Sequence, residues 1–142
     1  MKTQVILHAL ILLTAGFAPA LAADEPSPAA KVEVDTSKAP EMEAYGKTVK
    51  PLAEEWYPKI AELLPSEGYT PPTEVVIAFD PDYDGVAAAS GNRIVCSPRW
   101  FTKHPEDLGA IVHELVHVVQ RYRRHRPPGW LTEGIADQIR FF

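Results

Sequence analysis

His113-Glu114-Leu115-Val116-His117 is the stretch whose reading decides the rest of the chain. Two histidines four apart on a helix lie one turn above each other on the same face, about 6 Å apart along the axis, so both imidazoles can reach one metal ion. Glu114 lies about 100° round the helix from His113, close enough to contact a water in the ion's open position without ligating the metal. The flanks supply the helix. Leu108, Ile111, Val112, Leu115, Val118, Val119 and Tyr122 form one apolar stripe, with His113, His117 and Gln120 off its centre. Pro105 suits a first helical position, and Glu106 and Asp107 complement the positive dipole end.

A catalytic zinc ion (Zn²⁺) needs a third protein ligand and an open position for water. Pro127-Pro128-Gly129 breaks the chain, and the run from Trp130 to Asp137 begins a second helix with Glu133 and Asp137 four apart on one face. Glu133 reads as the third ligand. Asp137 reads as the acceptor that orients one histidine by holding its other N–H. Gly134 weakens the helix, which predicts close approach of another backbone or of the metal site.

His-Glu-Leu-Val-His, fifteen residues, then Glu-Gly-Ile-Ala-Asp resembles the gluzincin arrangement of thermolysin-like peptidases. There the third ligand is a glutamate followed four residues later by an aspartate. Val112 to Gln120 together with Pro128 to Asp137 resembles more closely the plant basic secretory protein family and its bacterial relatives, a family assigned as zinc metallopeptidases. The likeness covers Lys31 to Phe142, and these two segments carry it. The chain departs from the family's name in being acidic. The resemblance implies a zincin-like α+β fold: a small mixed sheet, a long N-terminal helix and the active-site helix. It also implies a sheet edge beside the metal that pairs with an extended substrate. A histidine six residues after His117, as in metzincins, is absent: that position is Arg123, His125 is eight away, and no glycine intervenes. His104 reads as a cap or surface residue.

The 142 residues allow one domain plus a targeting segment. Met1 to Ala22 reads as a secretory signal: Lys2, an apolar run from Val5 to Leu13, and a small-residue cleavage site at Ala20-Leu21-Ala22. Residues 23–30, with Pro26 and Pro28, read as a disordered linker, and 31–142 as the metallopeptidase domain. The apolar run is too short to span a bilayer and no cysteine follows it to accept a lipid. A secreted or periplasmic protein without a membrane anchor is the expectation. Without Lys2, 13 basic residues face 19 acidic ones, a net charge of 13 − 19 = −6, which argues against nucleic-acid binding. Cys96 is the only cysteine and reads as a small hydrophobe in a strand.

Along the chain, Lys31 to Asp35 alternates as a short strand. From about Pro40 to Leu64, Met42, Tyr45, Val49, Leu52, Trp56, Ile60 and Leu63 recur at threes and fours, which predicts a long helix. Pro51 and Pro58 predict a bend, or two abutting helices. Thr73 to Phe79 reads as a central strand, and Val86 to Ala89 and Arg93 to Ser97 as a hairpin around Ser90-Gly91-Asn92. Asp80 to Gly85 begins like a calcium loop but has Gly91 where the twelfth-position glutamate belongs, so it reads as a solvated turn. Arg121 to Arg126 reads as a solvated basic helix end.

The expected function is hydrolysis of a peptide or protein substrate. His113, His117 and Glu133 would hold zinc and Glu114 would act as general base. Two alternatives stand beside it: an exported zinc-containing binding module without hydrolysis, and a zinc hydrolase acting on a non-peptide substrate. Gluzincins add an oxyanion-stabilising tyrosine, histidine or arginine downstream of the third ligand. The chain ends at Arg140-Phe141-Phe142, inside an apolar stripe, so a further C-terminal subdomain is expected.

Overall fold

The computed structural model describes residues 30–66, 68–121 and 127–141. The expected signal peptide, nearly all of the linker, His125 and most of the basic run lie outside them. Four strands form one mixed sheet: β1 (Lys31–Asp35), β2 (Glu74–Phe79), β3 (Ala87–Ser90) and β4 (Arg93–Cys96). Their order is β1-β2-β4-β3, with β1 and β4 parallel to β2 and β3 antiparallel to β4. Parallel pairing of β1 with β2 requires a crossover, and the helix α1 (Glu43–Leu63), entered through a 3₁₀ turn at Pro40–Met42, supplies it.

The architecture is therefore α+β, with the core between the sheet and its helices. Val75, Ile77 and Phe79 of β2 and Ile94 and Cys96 of β4 are buried, as are Val49, Ala53, Tyr57 and Ile60 of α1. Tyr45, Phe79 and Phe101 meet ring to ring, with centroids 5.4–6.0 Å apart. Cys96 is one of these buried groups, and burial pushes its thiol well above the ordinary range. It is a hydrophobe here, as its place in a strand implied.

Both prolines of α1 lie inside one continuous helix. Each leaves a carbonyl four residues back without its helical donor, on Lys47 and Glu54, and both of those residues are exposed to solvent. Gly46 lets α1 close on β1: a Cβ there would stand 3.0 Å from Val34 Cγ1.

The hairpin forms with Gly91 in the left-handed region, φ 64°, as a tight turn between β3 and β4 requires. Beyond β4 the structure adds an element that the periodicity did not predict, α2 (Pro98–Lys103), with Ser97 before it and Pro98 at its first position. Consequently Pro105 and Glu106 lie in a turn rather than in the next helix. That helix, α3 (Leu108–Gln120), starts after Asp107 and carries His113, Glu114 and His117. His104 closes α2 and stacks on Trp100, ring centroids 4.2 Å apart. After residues 122–126, α4 (Gly129–Arg140) completes the described chain. No helix among the described residues is long and apolar enough to cross a membrane.

Tyr57 ties α1 to the loop before β2 by donating to the Pro72 carbonyl, 2.6 Å away, from a fully buried position. Tyr57→Phe should lower the unfolding free energy by about 1 kcal/mol, because that part-buried carbonyl loses its donor. Urea denaturation of the two proteins measures it.

Candidate metal centre and the strand beside it

α3 buries Ile111, Val112, Leu115, Val116, Val118 and Val119. His113 and His117 are left at the margin, with 13% and 18% of their side chains exposed. α4 runs antiparallel along that margin, as three successive contacts show. Arg140 reaches Asp107 at 3.1 Å, Asp137 Oδ1 lies 3.0 Å from His113 Nδ1, and Glu133 Oε2 lies 3.1 Å from His113 Nε2 and 3.4 Å from His117 Nε2.

The two Nε2 atoms stand 3.0 Å apart, with the rings nearly perpendicular at 78°. His113, His117 and Glu133 form a possible metal-holding group, with their ligand atoms all within 4.8 Å of one another. Zinc–nitrogen and zinc–oxygen bonds of about 2.0–2.2 Å in a tetrahedron place ligand atoms about 3.3–3.5 Å apart. Separations of 3.0, 3.1 and 3.4 Å are close to that edge, so the donor set fits such an ion with small adjustments.

Each imidazole also has an acceptor behind it. Asp137 Oδ1 lies 3.0 Å from His113 Nδ1 and Gln120 Oε1 lies 3.3 Å from His117 Nδ1, each an acceptor for an Nδ1–H. With the proton held on Nδ1, both Nε2 lone pairs face Glu133. Gln120 is a contributor that the sequence reading missed. Its signal was a polar residue three positions after His117 that proves to be buried, with only 6% exposed. Its Nε2 finds no hydrogen-bond partner among the described residues.

Glu114 faces β3 and accepts the Ala89 backbone N–H. Burial pushes its carboxyl above the usual carboxylate range; His117, His113 and the Ala89 N–H pull it back, and Glu133 adds to the rise. β3 is an edge of the sheet, whereas β4 lies inside it between β2 and β3. Of the two hairpin strands, only β3 has a free side.

A family model described as a peptidase of plants and bacteria (BSP) matches residues 30–142. The chain belongs to that peptidase family. The match bears out the likeness to the plant basic secretory proteins, and it covers every element from β1 to α4. No curated protein and no solved structure matches the chain.

Other expected features fall differently. Among the described residues no atom approaches within 4 Å of where a Gly134 side chain would begin, so the close contact predicted there is absent among them. Gly134 instead borders an open apolar groove with Leu63, Trp130, Leu131 and Ile135. Asp80 bonds Lys38 Nζ at 2.7 Å and the Asp82 N–H at 3.1 Å, and Asp84 bonds Arg99 at 3.2 Å, so this acidic loop is a turn tied to its neighbours. Its Tyr83, which the sequence reading passed over, donates to the Ala87 carbonyl of β3.

The raised Glu114 carboxyl predicts a stability change. A carboxyl whose folded value exceeds its unfolded one destabilises the fold once pH rises through that interval. Glu114→Gln should therefore raise the melting temperature of the metal-free chain at neutral pH, with the gain vanishing below about pH 4. Thermal unfolding across pH 4–8 checks both halves.

Proposed function

We propose that the chain is an exported zinc-dependent metallopeptidase of gluzincin type, with a zincin-like arrangement of helix and sheet edge. The observation that carries this reading is the convergence of His113 Nε2, His117 Nε2 and Glu133 Oε2 at near-tetrahedral spacing, beside Glu114 and β3 in a member of a peptidase family. These three residues would hold the ion. Bound there, zinc supplies an acidified water and polarises the scissile carbonyl.

The remaining work falls to the chain. Glu114 takes the proton of the attacking water on its carboxylate and returns it to the leaving amine, a task helped by a carboxyl that burial holds above the usual carboxylate range. Asp137 and Gln120 hold the imidazoles so that Nε2 stays unprotonated. The edge strand β3 would pair with an extended substrate through backbone groups. A cleft of about 390 Å³ bounded by His117, Gln120, Arg121, Thr132 and Glu133 offers ion and water a path to the same atoms. Met1 to Ala22 supports export to the cell exterior or periplasm.

Elemental analysis of the purified chain should find one zinc, lost in His117→Ala and in Glu133→Ala. Glu114→Gln should keep the metal and lose at least about 10²-fold in casein hydrolysis. A fully active Glu114→Gln protein would sink the mechanism, and zinc retained without hydrolysis in the wild type would leave the binding-module reading. Gln120→Leu and Asp137→Ala should each weaken zinc binding about 10- to 100-fold in competition with a chromogenic chelator.

A further inference from the structure

The register of the hairpin fixes which backbone groups of β3 face outward. Ser97 N–H donates to the Val86 carbonyl, and the pairing runs Ala87↔Cys96, Ala88↔Val95, Ala89↔Ile94 and Ser90↔Arg93. In an antiparallel pair the hydrogen-bonded positions alternate, so Val86, Ala88 and Ser90 bond β4, while Ala87 and Ala89 turn their N–H and C=O groups to the free side. Two of these four groups are already engaged. Glu114 takes the Ala89 N–H, and Tyr83 Oη donates to the Ala87 carbonyl at 3.1 Å.

We propose that Tyr83 is a gate on this strand: its hydroxyl occupies the Ala87 carbonyl that an extended peptide must take, and peptide entry displaces it. The inference rests on the peptidase reading above and names the residue that sets how readily the site admits a substrate backbone. The loop is shaped for that contact. A Cβ on Gly85 would stand 2.7 Å from Tyr83 Cζ, so glycine is what allows the ring to fold back across the loop onto β3. Burial, then the nearby Glu114 carboxylate, hold the phenol above its ordinary range, so it remains a donor throughout the working pH of a peptidase. Ala87, Ala88 and Ala89 have the smallest side chains a strand can carry short of glycine, so no side chain of β3 itself stands in the way of a peptide. The hydroxyl is therefore the group with which the peptide N–H must compete.

The test uses the zinc-loaded Glu114→Gln chain, which binds peptide without turning it over, with and without Tyr83→Phe. The probe is fluorescein-labelled oxidised insulin B chain, followed by anisotropy, with circular dichroism to confirm that both proteins fold. Losing one competing hydrogen bond should tighten binding roughly three- to tenfold. Unchanged binding, weaker binding, or no binding to either protein overturns the gate. Hydrolysis of the same probe by the zinc-loaded chain with Glu114 intact separates the two readings. Cleavage with no Tyr83→Phe effect refutes the gate and keeps the peptidase, whereas tighter binding without cleavage keeps the gate and refutes the peptidase.

Discussion

Arg140, in the last turn of α4, reaches Asp107 at the head of α3, and Asp107 also accepts the Trp100 indole N–H from α2 at 3.0 Å. One carboxylate thus joins three helices. The charged partners are only 24% and 21% exposed, so the pair is less screened than a surface ion pair. Gly109 helps, since a Cβ there would already stand 3.3 Å from Arg140 Nε. The contact sets the antiparallel register of α4 on α3, and the site depends on that register. A slip of one helical turn would carry Glu133 about 5.4 Å along the axis, out of reach of the two imidazoles.

The fold concentrates cost at this margin. Two imidazoles, Glu133 and a half-buried Glu114 crowd one margin of a helix whose other face is apolar, and Gln120 brings a buried amide N–H with no acceptor among the described residues. Buried or crowded polar groups of this kind are destabilising unless something binds them. The core under α3 offsets that cost: Ile111, Leu115, Val116 and Val118 are fully buried. Rigid packing below and strained chemistry above is the division of labour expected where a site must be held in place.

β3 shows the same logic on a smaller scale. Three consecutive alanines are poor strand formers, yet the strand stands because β4 pairs one side while Glu114 and Tyr83 take groups on the other. An edge held in this way is protected from chance pairing with other chains. It also remains open at the Ala87 N–H and the Ala89 carbonyl, the two outward groups for which the structure records no hydrogen bond among the described residues.

Local chemistry in the sequence determined most of the elements. The periodicity of Leu108 to Val119 decides a helix, four-residue spacing decides that His113 and His117 share a face, and the same spacing relates Glu133 to Asp137. Alternation marks β1, a run rich in β-branched residues marks β2, and Ser90-Gly91-Asn92 marks the hairpin. α2 was not legible, because six residues are too few to display a period. Pro105 misled, because a proline that suits a first helical turn suits an ordinary turn equally well. The tertiary structure alone decided that α4 lies antiparallel on α3, that Gln120 sits behind His117, that β3 rather than β4 is the edge, and that Tyr83 folds onto it. Spacing along a chain sets which side chains share a face of one element. Which face meets another element depends on packing between segments distant in sequence, and no local pattern records it.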